Sequence, residues 1–409
     1  MLFLYNILIS IAGFLLKIIA LFNKKIKLFV EGRKQSFTIL SEKLNKDDKT
    51  IWFHVASLGE YEQGLPVMEG FKKKFPNHKL VLTFFSPSGY EVRKNNPIAD
   101  VTVYLPWDTK RNVQQFLKIV KPEKAIFVKY EFWINYLSEL KKQHIPTYLV
   151  SGIFRENQAF FKWYGGFYRK ALQTFDYFFV QNESSKKLIE SIGFTNVIVS
   201  GDTRFDRVFA ISERDNHLDF VEQFKGDDLL LVAGSTWEAD EKLLINYINK
   251  TDKKIKFIIA PHNIKEEQIS NLKSQINKSV ILFSEKENKN LSDFDVMIVD
   301  AIGLLTKIYS YADLAYVGGG FGNPGVHNVL EPAVFGIPIV IGENYSHFAE
   351  ATELVNLGGV LSVKSQTEFD LILNKLFGNR TFSSETGKIC SYFVLNQKGA
   401  IQVIMDYFA

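Results

Sequence analysis

Cysteine is almost missing from this chain, with one residue, Cys390, in 409. That excludes an internal disulfide framework and a cysteine-rich metal site, and a reducing compartment is expected. Neither sign of charge is in excess: 49 Lys+Arg stand against 45 Asp+Glu, a net charge of +4. The basic residues are spread out rather than gathered in a stripe, so nucleic acid is not an expected partner. What is present is the balance of an ordinary folded protein, 46% hydrophobic and 23% charged. At this length two domains are expected.

The first residues depart from that average. "MLFLYNILISIAGFLLKIIALF" is apolar apart from Asn6, Ser10 and Lys17, and the basic run "NKKIKLFVEGRK" follows. A secretory signal would carry its charges first and end in a small-residue cleavage site, and neither feature is visible. The length could just span a bilayer, with Lys17 snorkelling to an interface; the alternative is a buried first helix. Lysines directly after the run keep the following chain cytoplasmic and attract an anionic leaflet. Residues 1–34 are therefore expected to be a membrane-associating segment.

Beyond it the pattern alternates strand and helix. Apolar runs "TIWFHV", "KLVLTFF", "VTVYL", "KAIFV", "PTYLV" and "YFFV" read as buried parallel strands, separated by helical stretches such as "NVQQFLKIV". After the polar segment 211–220 the pattern restarts with "LLLVAG", "KFIIA", "SVILF", "DVMIV", "LAYVGGG" and "IPIVIG". This predicts an α/β fold of two facing Rossmann-like domains, residues 35–210 and 221–390, joined by that linker. A single amphipathic helix over 391–409 is expected to close the chain. Ligands in such sheets bind beyond the carboxyl ends of the strands, which here means a cleft between the domains.

Glu60, in "HVASLGE", follows the first strand and a sharp turn. An acidic residue there can simply cap a helix, or its carboxylate can serve a reaction in the cleft. Ser235 and Thr236 in "GSTWEADE" stand where a helix cap or a phosphate would use them. Pro261 and His262 end the next strand. The most specific stretch is "YVGGGFGNPGVHNVLEPA", whose glycines, Gly320 among them, allow close backbone approach to a ligand. Asn328 stands near the start of a helix there, with Glu331 a turn further on, where a carboxylate can accept ribose hydroxyls. The run is not read as a G-x-G-x-x-G dinucleotide turn, on spacing and on its acidic partner, nor as a P-loop, since no Gly-Lys-Ser/Thr occurs there.

Taken in order, "HVASLGE", "TFFSPSGYE", "YLPWD", "KYEFWIN", "GDTRFD", "GSTWEADE", "DAIGLLTKIYSYADLAYVGGGFG" and "GVHNVLEPA" resemble the bacterial 3-deoxy-D-manno-octulosonic acid (Kdo) transferases along nearly the whole chain. The resemblance implies a GT-B glycosyltransferase of lipopolysaccharide synthesis at the cytoplasmic face of the inner membrane. It would use CMP-Kdo as donor and a lipid A precursor (lipid IVA) as acceptor, inverting and without cofactor or catalytic metal. It makes Glu60 the base, with Lys129, Glu131 and Arg204 assisting. It also puts nucleotide contacts on Pro261, His262, Ile302, Gly303, Leu304, Asn328, Val329, Leu330 and Glu331, and Ser235, Thr236 and Gly320 are expected to line the same nucleotide site. Relatives show Glu-x-Glu-Leu-Trp where this chain has Lys129-Tyr130-Glu131-Phe132-Trp133, and Pro-Arg-His where it has Pro261-His262-Asn263. Another twin-Rossmann enzyme, acting on a UDP-sugar, is the alternative reading.

Overall fold

The computed structural model describes residues 1–322 and 325–409; Asn323 and Pro324 of the glycine-rich run lie outside the described residues. The chain forms two compact units, Met1–Arg207 with Lys398–Ala409, and Val208–Gln397. In the first, strands β1 (Thr50–Val55), β2 (Lys79–Phe84), β3 (Val101–Tyr104), β4 (Pro122–Val128), β5 (Thr147–Gly152), β6 (Tyr177–Val180) and β7 (Val197–Val199) make one sheet. Its order is β3-β2-β1-β4-β5-β6-β7, and every neighbouring pair is parallel. Parallel crossovers place helices on both faces, which is why all six residues of β1 are buried. Trp52 packs with Phe116 and Phe127 on one face, and Phe53 with Phe71 and Phe179 on the other.

The second unit repeats the scheme. Strands β8 (Leu229–Thr236), β9 (Ile255–Pro261), β10 (Val280–Leu282), β11 (Val296–Ile298), β12 (Leu314–Val317), β13 (Ile339–Ile341) and β14 (Val360–Ser362) run in the order β10-β11-β9-β8-β12-β13-β14. The two edge strands β7 and β14 were not anticipated. Their apolar runs, Val197–Val199 and residues 360–361, are shorter than those that carry the equally short β10, β11 and β13.

Expected boundaries shift. The helix Thr203–Ser212 spans the division of the chain at Arg207/Val208, so that division falls before the expected linker, of which residues 213–218 lie outside helices. The tail is two helices, Arg380–Gln397 and Ala400–Tyr407, because Gly399 takes φ 120° between them. Asp206 accepts the N–H groups of Gly399 and Ala400, and Phe408 packs on Phe71, so the last helix belongs to the first unit. At the other end, residues 1–34 are not one segment. Helix α1 (Leu2–Ile19) stops before Asn23, whose side chain caps α2 (Lys24–Lys43).

Helix α2 is part of the first unit's fabric. Ser36 Oγ donates to Tyr104 O at 2.8 Å, and the Arg33 guanidinium lies 3.5 Å from the centre of the Phe29 ring while donating to Phe85 O. Helix α1 is fastened by polar groups on one face. Tyr5 donates to Asp108 Oδ2 at 2.6 Å, Asn135 donates to Asn6 Oδ1 at 2.8 Å, and Trp107 Nε1 donates to Ile9 O at 2.7 Å. Asp108 is buried, and that burial holds its carboxyl above the usual range despite the hydrogen bonds it accepts. Losing the hydroxyl would strand part of this carboxyl. Tyr5→Phe is therefore expected to cost about 1.5–3 kcal/mol, the usual worth of a hydrogen bond to a charged group. Chemical denaturation checks this, and unchanged stability would mean the contact does not hold α1.

Candidate active site

β1 and β4 are neighbours, yet the chain leaves them in opposite directions across the sheet, to β2 on one side and β5 on the other. At such a switch point the loops diverge and leave a crevice at the strand ends. Glu60 comes from the β1 side. Ser57 caps helix α3 (Leu58–Lys74), and its Oγ accepts the Glu60 N–H at 3.5 Å. The Glu60 carboxylate turns back to accept the N–H of Ala56. Ser57 thus caps the helix while the Glu60 carboxylate reaches back past the N-cap to Ala56, so the capping role is present in the structure.

It is not the whole of it. From the β4 side come Lys129, held at φ 68°, and then Tyr130 and Glu131. Glu60 is only 5% exposed, and its carboxyl is pushed up to about 7, first by burial and then by the charge of Glu131. The Ala56 N–H and the Lys129 ammonium pull the other way and lose. Desolvation of the carboxylate and the charge of Glu131 outweigh the pull of the first turn of α3 toward the ionised form.

Beneath this pair lies a network that sequence reasoning missed. His54, on β1 and fully buried, places Nδ1 2.9 Å from Thr83 Oγ1. The Trp133 indole N–H lies 3.0 Å from both His54 Nε2 and Glu131 Oε2. An indole nitrogen only donates, so His54 Nε2 accepts and its proton sits on Nδ1 toward Thr83. Trp52 donates to the same threonine oxygen at 2.8 Å. The one signal in the sequence was a histidine inside an otherwise apolar strand.

Arg204 lies on the helix Thr203–Ser212. Its backbone N–H, Nε and Nη2 all engage the Asp202 carboxylate, at 2.9, 2.8 and 2.7 Å. The cation expected for a phosphate thus has a carboxylate partner already.

In the second unit the switch point falls between β8 and β12. Asp240 pins the two exits together. It accepts the Tyr316 hydroxyl at 2.6 Å, the Gly319 N–H at 2.8 Å and the Trp237 N–H at 2.9 Å. A side chain on Gly318 would meet Ser235 O at 2.5 Å, so only glycine lets these backbones touch. Thr236 donates to Glu241, and Ser235 takes φ 54°. Pro261 ends β9, and His262 follows it into a stack of three rings. Its imidazole lies 4.5 Å from the Trp237 ring and 4.7 Å from that of His327. Trp237 Nε1 donates to His327 Nε2 at 2.9 Å. Burial and the neighbouring His262 lower His327 to about 4, and burial lowers His262 as well. Both imidazoles are therefore neutral at pH 7.

The remaining expected contacts are placed as follows. Ile302 is exposed on the turn after β11, Gly303 takes φ 93°, and Leu304 precedes a one-turn helix. Val329 and Leu330 are buried, so only their backbone groups are available. Asn328 stands just before the N-cap of the short helix Leu330–Ala333, accepts the Leu330 N–H, and donates to Glu331 Oε1 at 3.1 Å. Gly320 packs against Gly342. Gly320, Gly322 and Gly325 do stand at G-x-G-x-x-G spacing, contrary to the reading above. What sets the run apart from a dinucleotide turn is that residues 325–329 form no helix behind it.

Two doubly wound parallel sheets, each with polar groups gathered at its switch point, define a twin-Rossmann, GT-B-type protein. Its fold is similar to that of the UDP-GlcNAc 2-epimerase from Neisseria meningitidis bound to UDP-GlcNAc. The TM-score is 0.60 at 15% identity, over 88% of this chain and 99% of that one. Residues 31–207 match the family model of 3-deoxy-D-manno-octulosonic-acid transferase (kdotransferase). The chain is 29% identical to the 3-deoxy-D-manno-octulosonic acid transferase of Aquifex aeolicus, over 82% of its own length and 88% of the relative's. It is 26% identical to a bifunctional glycosyltransferase/methyltransferase of Fusobacterium nucleatum, over 98% of this chain but 62% of that longer protein. The chain is an enzyme of the glycosyltransferase class.

The raised Glu60 pKa has a consequence for stability. A carboxyl with a folded pKa above its unfolded 4.5 holds its proton more tightly when folded. Its stabilisation is full below that value and is lost as pH rises through about 7. Glu60→Gln removes the ionisable group, and each pKa unit is worth about 1.4 kcal/mol. The variant is expected to match the wild type at pH 5 and to exceed it by about 1–3 kcal/mol at pH 8. Denaturation at the two pH values checks this. A variant less stable at both would leave helix capping as the residue's whole contribution.

Proposed function

We propose that this protein transfers Kdo from CMP-Kdo to a sugar hydroxyl of a lipid A precursor such as lipid IVA, with inversion and without a catalytic metal, at the cytoplasmic face of the inner membrane. The observation that carries the proposal is Glu60, a buried carboxyl at a switch point with a pKa near neutrality. That is the range in which a general base is both available and strong enough at physiological pH.

In this reading the acceptor hydroxyl gives its proton to Glu60 as its oxygen attacks the anomeric carbon of Kdo. The bond from that carbon to the CMP phosphate breaks, and CMP leaves with the electron pair. Glu131 raises the basicity of Glu60 and is itself held by Trp133. Lys129 and Arg204 offset the charge of the anionic donor. The nucleotide is assigned to the second unit: Glu331 to the ribose hydroxyls, and Ser235, Thr236, Gly320 and the Ile302–Leu304 turn as backbone donors or close-packed walls. A neutral His262 offers a flat ring for a base or sugar rather than a counter-charge for phosphate. The membrane side of the reading rests on the apolar residues 1–22 and the lysines after them.

The test is an assay of the purified protein with CMP-Kdo and lipid IVA, products identified by mass spectrometry, with and without a chelator. Kdo addition unaffected by chelation is expected. Glu60→Gln should bind CMP-Kdo normally and transfer about 10²–10⁴-fold more slowly, the usual worth of a positioned base. Transfer by the variant at the wild-type rate would remove Glu60 from the chemistry. Binding of UDP in preference to CMP, by calorimetry, would favour the UDP-sugar reading.

A further inference from the structure

Helix α1 has two unlike faces. Tyr5, Asn6, Ile9, Ala12, Gly13 and Leu16 recur at helical spacing and are partly covered by the first unit. Three of them carry the polar latches to Asp108, Asn135 and Trp107, over the helix's first three turns. Gly13 lets the helix close on Trp107, since a side chain there would meet the indole nitrogen at 2.7 Å. The opposite face carries Leu4, Leu8, Ile11, Phe14, Leu15 and Ile18, each at least 43% exposed. Leu21 and Phe22 continue this apolar surface past the helix end.

We propose that α1 lies in the plane of an anionic lipid leaflet, its outer face among the acyl chains and its inner face still docked on the protein, and does not cross the bilayer. This rests on the membrane-associating part of the functional reading, and it is independent of which sugar is transferred.

Length alone would permit crossing. At 1.5 Å per residue, 18 helical residues reach about 27 Å, close to the hydrocarbon thickness of a bilayer. The latches argue otherwise. A crossing helix presents its whole circumference to lipid or to other spanning segments. Tyr5, Asn6 and the Ile9 carbonyl would then have to leave their partners, and the buried Asp108 would lose its hydroxyl donor. An in-plane helix keeps every one of those bonds and still removes the outer face from water.

The charges fit a leaflet surface rather than a second copy of this chain. Residues 1–30 contain no acidic side chain, while Lys17, Lys24, Lys25 and Lys27 are all exposed. A self-complementary contact would have to bring these lysines together; an anionic leaflet neutralises them. The neighbouring segment touches α1 through Phe167, whose ring packs 6.2 Å from that of Tyr5. That segment exposes Trp163 (93%) and Tyr164 beside Lys162, a combination suited to the boundary between headgroups and hydrocarbon.

The test labels the full-length protein at single introduced cysteines, Leu4→Cys, Ile11→Cys and Ile18→Cys, with Ala12→Cys as a docked-face control. Native Cys390 is fully buried and stays unlabelled. Each protein is bound to phosphatidylcholine vesicles with or without phosphatidylglycerol, carrying quenchers at known depths. In-plane binding predicts the same shallow depth at the three outer positions, weaker quenching at residue 12, and tighter binding with phosphatidylglycerol. A depth that runs from one leaflet through the centre to the other means a crossing helix, and overturns the proposal while leaving membrane association intact. Absence of vesicle binding overturns both. Quenching-free protein that sediments as a dimer through this face would assign the surface to a second copy instead.

Discussion

The carboxyl group of Glu60 lies out of water at the end of β1, accepts one backbone N–H from Ala56, and faces the carboxylate of Glu131 from the end of β4. The charge of the partly exposed Glu131 disfavours ionisation of the buried Glu60, and the neighbouring groups hold the two in place. Trp133 gives its only N–H to the space between Glu131 and His54, and Thr83 receives His54 from below. Lys129 is held in a left-handed conformation at the same strand exit, from where its charge acts on Glu60. Without Trp133 the second carboxylate would be free to swing toward water, and Glu60 would lose one of the two reasons for its high pKa.

The second unit solves a different problem with the same topology. At the β8/β12 switch point the buried acid, Asp240, is fully satisfied by three donors and serves to lock backbones together. The groups left at the surface there are a stack of neutral rings, with His262 exposed, together with Gly322 and Asn328 of the glycine-rich run. One crevice thus holds a group able to take a proton. The other offers flat surfaces and backbone approach, the features that suit a nucleotide.

Much of this was legible in the sequence. Twelve of the strands stood out because parallel strands are buried on both faces and read as unbroken apolar runs. Glu60 stood out because strand, turn and helix followed one another within a dozen residues. What was hidden depends on adjacency across the sheet. The β1–β4 pairing brings His54 and Glu60 to Glu131 and Trp133, more than seventy residues away in the chain. The Trp237, His262 and His327 stack gathers the exits of three strands in the same way. The contest between desolvation and helix dipole at Glu60 could not be weighed without knowing how much water the side chain keeps. The break at Gly399 was hidden by an apolar period that continues across it, even though the two halves serve different units.

In the proposed mechanism Glu60 works as a base because its surroundings hold its pKa near neutrality. The pH dependence of kcat/KM for Kdo transfer tests this, since it reports ionisations of the free enzyme and substrate. An acid limb with a midpoint near 7 is expected, matching the Glu60 carboxyl at about 7. A rate that stays level down to the ordinary carboxylate range, near pH 4.5, would contradict it.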